Sequence, residues 1–472
     1  MMRARHEGFD GARASPFTLP LAPIWIGVAT LLVVAIVFGG GTYQQSWPDA
    51  VVQLASLPVL WLALAKIPER WSEPAIRPAL ILCAVIVAIP LLQLIPLPPG
   101  LWSRLPGRDF VARGVAESGV PLPWFPLSLG PSETLRSILS LIPPVAVFLA
   151  TLSLDANGRR GLSLVLIAAG FLSVVIGLAQ VAQGSGSVIQ PYGEGSVGFF
   201  LNRNHYAAFL YALIPFAAAW VVGLAFDRRR GMVVGIMLAV MVFASLLLGL
   251  GIARSRAGIV LAIIATLLSL LLARTGTATP LRARSQKWVF AAGAIGALLI
   301  FQFGLVGILQ RLESDPLADD RWEIAGTTLR ASKDFFPVGS GLGTFDSIYD
   351  KYETIDMLVP TYVNNAHDDF LELLLEAGLA AIIVVAWFLV WFVVRLFRIW
   401  RSPARHANTL DLSLSRAGSL AVILLFLHSF VDYPLRSAAL SCLFAFSCAL
   451  LLLPQSNLGP DITQRRRPRA QG

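Results

Sequence analysis

About twelve stretches of roughly twenty apolar residues follow one another along this 472-residue chain, near 22–40, 50–66, 78–97, 135–153, 161–182, 206–226, 231–253, 257–273, 288–308, 377–397, 417–433 and 435–453. A helix of about 20 apolar residues crosses the hydrocarbon of a bilayer, and inside hydrocarbon a backbone must close its hydrogen bonds within itself. The recurrence therefore predicts an all-α polytopic membrane protein with about twelve transmembrane helices; the last two stretches could instead form one re-entrant hairpin. With 56% hydrophobic and 14% charged residues, the composition excludes a water-soluble domain.

Lys and Arg fix the expected orientation. Placing the N-terminus inside puts Lys66, Arg70, Arg77, the run Arg228, Arg229 and Arg230, and Arg395, Arg398, Arg401 and Arg405 on one side, as the positive-inside bias requires. Both termini then lie inside. The formal net charge of +9 is mostly this topology signal, spread through short loops rather than gathered on a folded face, so nucleic acid is not an expected partner. The expected divisions are a cytoplasmic tail at 1–21, nine helices over 22–308, a large outer loop at 309–376, three helices over 377–453 and a basic tail at 454–472. The first apolar stretch reads as a retained anchor. Cys83, Cys442 and Cys448 all fall in expected spans and suggest neither a disulfide nor a metal cluster.

The residues with chemistry gather at the outer ends of the helices. Asn202, Arg203, Asn204 and His205 open the sixth helix, where a helix N-terminus favours an anion; Asn202 or Asn204 would serve equally as a plain cap. Arg254 and Arg256 stand in a link too short to reach far into water, and arginine beside hydrocarbon usually faces a polar cavity, an anion or lipid headgroups. The large loop holds a turn-like acidic stretch, Asp315–Asp320, then a helix expected to run from Arg321 to about Phe335. Gly339, Gly341 and Gly343 follow, readable as a tight turn or, less well, as a phosphate cradle, since the Walker lysine is missing. Asn365 is the expected cap of the next helix, with His367 at the mouth of the bundle and Glu372 and Glu376 on one face. His428 and Asp432 lie one turn apart, suited to a catalytic pair or, more simply, to a structural hydrogen bond.

Several of these pieces together resemble the O-antigen ligase and polymerase superfamily: Phe199 to His205, Ser255-Arg-Ala-Gly258, Arg321-Trp322 with Phe336 to Phe345, and His367 followed by Gly378. Pro126 to Pro131 is also similar, and the resemblance spans roughly 125–380. It departs at Asp368, where such proteins usually carry Asn, Ser or Gln, and at Ala381, where they carry a second glycine.

The resemblance implies a GT-C-like inner-membrane glycosyltransferase, with a large periplasmic loop containing short helices. Its implied donor is an undecaprenyl-pyrophosphate-linked glycan, its acceptor a lipid A core or a second glycan, and it needs no cofactor or metal. His367, Arg256 and Arg321 are then the expected catalytic residues: the imidazole, neutral, takes the acceptor proton, and the arginines meet the pyrophosphate as two-pronged donors. Arg203, Asn204, His205 and Arg254 are the expected substrate-binding residues, and Asp368 is expected to orient the imidazole. A ligase, a polymerase and a transferase to protein all fit this pattern. A secondary transporter would also explain the helices, but neither repeated halves nor mid-span acids are evident. The topology is testable: a reporter enzyme active only outside the cytoplasm should work when fused within the loop after Phe345 and fail after Arg230. The reverse pattern would overturn the orientation.

Overall fold

The computed structural model describes residues 22–41, 47–183, 196–225, 232–275, 317–354, 363–402 and 409–452. The apolar helices are α1 (Pro23–Phe38), α2 (Trp47–Leu64), the short α3 (Ile67–Trp71), α4 (Arg77–Gln93), then, after two short outer helices α5 (Pro99–Trp102) and α6 (Asp109–Glu117), α7 (Pro131–Leu152), α8 (Ala156–Gln183), α9 (Arg203–Ala225), α10 (Met232–Ala253) and α11 (Arg256–Thr275). The loop supplies α12 (Leu317–Phe335), α13 (Phe345–Tyr349) and α14 (Asp369–Ala377); α15 (Leu379–Arg401), α16 (Thr409–His428), a 3-10 turn (Pro434–Arg436) and α17 (Ala438–Leu450) complete the bundle.

Six of these, α2, α7, α8, α9, α15 and α16, are long and apolar enough to cross a membrane. Five shorter apolar helices coincide with further expected spans. The stretch at 288–308 and both tails lie outside the described residues. Two boundaries differ from expectation. Helix α16 stops at His428, leaving Asp432 and Tyr433 in a turn, and the acidic stretch read as a turn enters α12, which begins at Leu317.

The hub is α9. From Tyr206 to Phe216 every side chain except Pro215 is a fully buried hydrophobic, and α10, α11 and α16 pack around it. A helix apolar all round has no face for solvent or lipid and must occupy the centre of the bundle. Close approach to α11 depends on Gly258, where a Cβ would stand 2.5 Å from the Ala207 Cβ. At the end of the bundle away from the loop, Arg160 grips Asp411 through two bonds of 2.6 and 2.8 Å, tying α8 to α16.

At the other end an outer layer covers the helices. A two-residue antiparallel ribbon pairs Pro96 with Pro126 and Leu97 with Phe125. Beside it, the buried Arg108 donates to the carbonyls of Pro106, Leu127 and Gly339. The glycine run is the seam between this layer and α14. Its amides are all engaged within the protein: Gly339 with Phe335, Ser340 with Leu375, Gly341 with Glu376, Leu342 with the Gln93 side chain, Gly343 with the Glu376 carboxylate and Thr344 with Gly341. A phosphate cradle needs amides that point at open space, so this run is a packing turn.

Gly343 shows why glycine is required. Its φ is +85°, and a Cβ would lie 2.6 Å from the Ser137 hydroxyl and 2.7 Å from the Glu133 carbonyl. We expect Gly343→Ala to destabilise the protein by about 1–3 kcal/mol, read as a lowered melting temperature in detergent. An unchanged melt would show that the turn adapts.

Candidate active site

The site forms where three chain segments end together. The first is the start of α9: the Asn202 side chain accepts from the Asn204 amide at 2.7 Å, capping the helix and freeing the Asn204 side chain to reach elsewhere. The second is His367, two residues before α14, held at a φ of +52°. The third is the turn after α16, which carries Asp432 and Tyr433.

Asp432 joins them. It is fully buried, and its Oδ2 accepts from Asn204 Nδ2 at 2.6 Å. Its Oδ1 stands 3.4 Å from His367 Nδ1, a long approach of the kind that tightens when a substrate binds. His428 Nε2 is 3.8 Å from the same carboxylate, and the other nitrogen of His428 bonds the Tyr211 hydroxyl at 2.6 Å. Tyr433 stands between two imidazoles, with the His205 ring edge-on at 5.0 Å and the His367 ring at 5.1 Å. Burial alone would push the Asp432 carboxyl up, but the imidazoles of His367, His205 and His428 hold it well below the usual carboxylate range. It is therefore a fixed negative charge behind an imidazole that is itself 23% exposed.

A second network fixes the backbone on both sides of His367. Glu372 accepts from the Ala366 amide at 2.9 Å and from the Asn365 side chain at 3.0 Å. Asp369 binds Ser429 twice, through its amide and through its carboxylate. Arg436 holds this group together, with Glu376 at 2.9 Å, Glu372 at 3.3 Å and Asp369 at 3.8 Å. Left-handed backbone at a non-glycine residue persists only where its surroundings over-determine it, and these bonds do so.

Two expectations need correction. Asp368 does not orient the imidazole: its Oδ1 accepts from the amides of Phe370 and Leu371 at 2.9 and 3.0 Å, which caps α14. The carboxylate beside His367 is Asp432 instead, because the cap direction turns Asp368 along the helix axis. Asn365 is accordingly not the cap but a donor to Glu372.

The other expected residues are placed as follows. Arg321 reaches across from α12 to donate to the Val431 carbonyl at 3.1 Å, one residue from Asp432. His205 is buried beside Tyr433, its ring nitrogens unpaired within the described residues. Arg203 is exposed on the first turn of α9. Arg254, exposed at a φ of +49°, and Arg256 flank Ser255, whose hydroxyl accepts from Gly258 at 3.0 Å to start α11. The Gly258–Ala207 contact brings that start beside the start of α9.

Sequence reading missed Asp432 as the partner of His367, since Asp432 had an obvious local partner one turn back. It also missed Arg436, whose three acids are sixty or more residues away. The local signals available were two acids one turn apart, Glu372 and Glu376, and a lone arginine at a helix end.

The network makes a pH prediction. Burial outweighs Arg436 and Ser429 and pushes Asp369 up from 3.8 to about 7; burial also raises Glu376. The folded protein thus takes up a proton below about 7 that the unfolded chain takes up only near 3.8, so this contribution to stability is full at low pH and is lost as pH rises through about 7. Asp369→Asn should flatten the decline in melting temperature across that window. A slope identical to wild type would show that Asp369 does not titrate there.

Residues 241–386 match the O-antigen ligase family model. The match takes in Arg254, Arg256, Arg321, the glycine turn, His367 and α14, whereas the start of α9, Asp432 and Arg436 lie beyond it. No curated protein matches the chain. Over that segment the chain is similar to the O-antigen ligase family, and six described helices are long and apolar enough to cross a membrane.

Proposed function

We propose that the protein is a membrane glycosyltransferase of the O-antigen ligase type, moving a glycan from undecaprenyl pyrophosphate to a hydroxyl of a lipid A core at the periplasmic face. The observation that carries this reading is the partly exposed imidazole of His367 backed by the buried carboxylate of Asp432 at 3.4 Å. With Nδ1 toward the carboxylate, that nitrogen carries the proton and Nε2 presents its lone pair to the acceptor. Nε2 takes the proton of the acceptor hydroxyl as its oxygen attacks the anomeric carbon. The bond from that carbon to the pyrophosphate oxygen breaks, and the leaving group departs with its electron pair. Asp432 stabilises the imidazolium as it forms, in the way a buried carboxylate does behind any histidine base.

Arginine is suited to the leaving group because it stays protonated and offers two parallel donors. Arg321, beside the Asp432 turn, and Arg256, at the start of α11, are assigned that role, with Arg203 and Arg254 as further contacts. Asn204 and His205 line the same corner through Asp432 and Tyr433. Asp368 serves the site only by capping α14.

His367→Ala should abolish transfer while leaving protein in the membrane, and Asp432→Asn should lower the rate by about 10²–10⁴-fold. Both are read in a deletion strain complemented with each variant, by running the surface glycan on a gel. Wild-type glycan with His367→Ala would sink the proposal. In the deletion strain itself, long chains stranded on the lipid carrier are the expected result; single repeat units would make the enzyme a polymerase, and intact glycan with lost solute uptake would make it a transporter.

A further inference from the structure

Tyr211 sits in the middle of the buried run of α9, and its hydroxyl has one hydrogen-bond partner among the described residues, Nδ1 of His428 at 2.6 Å. His428 is the last residue of α16 and, like Tyr211, is closed off from solvent. Its other ring nitrogen, Nε2, is buried without a hydrogen bond among the described residues and stands 3.8 Å from Oδ2 of Asp432. The proposed transfer step uses neither side chain.

These contacts decide where the proton of His428 sits. An imidazole with one proton carries it on either nitrogen. With the proton on Nδ1, the Tyr211 oxygen would have to accept, its own hydrogen would find no acceptor among the described residues, and the Nε2 lone pair would face a carboxylate. With the proton on Nε2, the phenol donates to Nδ1 and an N–H faces the carboxylate instead. The first arrangement leaves a buried donor unmet and sets two electron-rich atoms against each other, and the second has neither fault. At 3.8 Å the N–H makes no hydrogen bond; it acts as a dipole aimed at the carboxylate in a buried site of low dielectric.

Asp432 divides its contacts by oxygen. Oδ2 accepts from Asn204 at 2.6 Å and faces His428, while Oδ1 accepts from the Tyr433 amide at 3.0 Å and faces His367 at 3.4 Å. The other titratable and charged groups around them are His205 of α9, edge-on to the Tyr433 ring, and Arg321 of α12, which bonds the Val431 carbonyl. We propose that Tyr211 and His428 are positioning residues of this site: Tyr211 donates to Nδ1 of His428, which keeps the imidazole proton on Nε2 toward Oδ2 of Asp432 and leaves Oδ1 to His367. The effect on the reaction rests on the transferase reading, whereas the proton positions do not.

The chain has 5 histidines, few enough for nitrogen NMR of the full-length protein, labelled at histidine and held in liposomes. One ring, absent from the spectrum of His428→Gln, should show Nε2 protonated and Nδ1 bare but hydrogen-bonded, and in Tyr211→Phe that Nδ1 signal should shift. A proton on Nδ1, protons on both nitrogens, or an unaltered signal in Tyr211→Phe would overturn the proposal. Transfer by the purified protein, with lipid-linked glycan and lipopolysaccharide core extracted from the deletion strain, gives the second readout. His428→Leu takes a donor away from the carboxylate, so its pair with His367 gains a proton more readily as pH falls. The acid limb of kcat/KM should then move up by about half a pH unit or more, with kcat lowered and KM unchanged. His428→Gln, which keeps an N–H near the place of Nε2, should return the limb to its wild-type position. A merely structural role would lower the yield of folded protein and leave the limb in place, so an unmoved limb in folded His428→Leu would overturn the proposal. Absence of transfer by wild type would overturn the transferase reading, and a proton on Nδ1 would overturn this one, so the two failures are read separately.

Discussion

One guanidinium organises the loop end of this molecule. Arg436 lies among Asp369, Glu372 and Glu376, and each of those carboxylates spends its remaining oxygens on backbone or side-chain donors from a different segment: Ser429 after α16, Ala366 and Asn365 before α14, and Gly343 in the glycine turn. A buried ion cluster of this kind is not a cheap source of stability, since desolvation consumes most of the attraction, but removing one member leaves charges uncompensated at about 3–5 kcal/mol. Its effect is directional. Apolar packing would let α14 slide or rotate against its neighbours, whereas four polar groups with fixed partners allow one arrangement.

That arrangement brings His367 and Asp432 together. His367 belongs to a loop segment and Asp432 to the turn after a membrane helix, and neither is held by the other, as their separation of 3.4 Å shows. They meet because Glu372 grips the residue before His367 while Asp369 grips the turn that leads to Asp432. The strained backbone at His367 is maintained by the same bonds. The imidazole is thereby left with one nitrogen toward a buried carboxylate and a partly exposed edge, and the surroundings hold that geometry without drawing on the imidazole itself.

Much of the architecture was legible beforehand. Eleven of the apolar stretches meet helices among the described residues, because hydrocarbon leaves a backbone no alternative to internal hydrogen bonding. The helix over the start of the loop and the small residues at Gly258 and Gly343 were also evident in outline. The roles of particular polar residues were less so. Asp368 stands next to His367 in sequence yet caps a helix, and the glycine run resembles an anion site yet has every amide engaged.

The sequence by itself determined that the chain is mostly apolar helix, the order of the stretches that meet described helices, and which residue types were available at their ends, since these follow from local hydrophobicity and charge. The tertiary structure alone decided which carboxylate stands beside His367 and which acids share Arg436. Ionic and hydrogen-bonded partners are chosen by distance in space. Between Asn204 and Asp432, or Glu376 and Arg436, that distance is set by how α9, α14 and α16 pack, which no local pattern records.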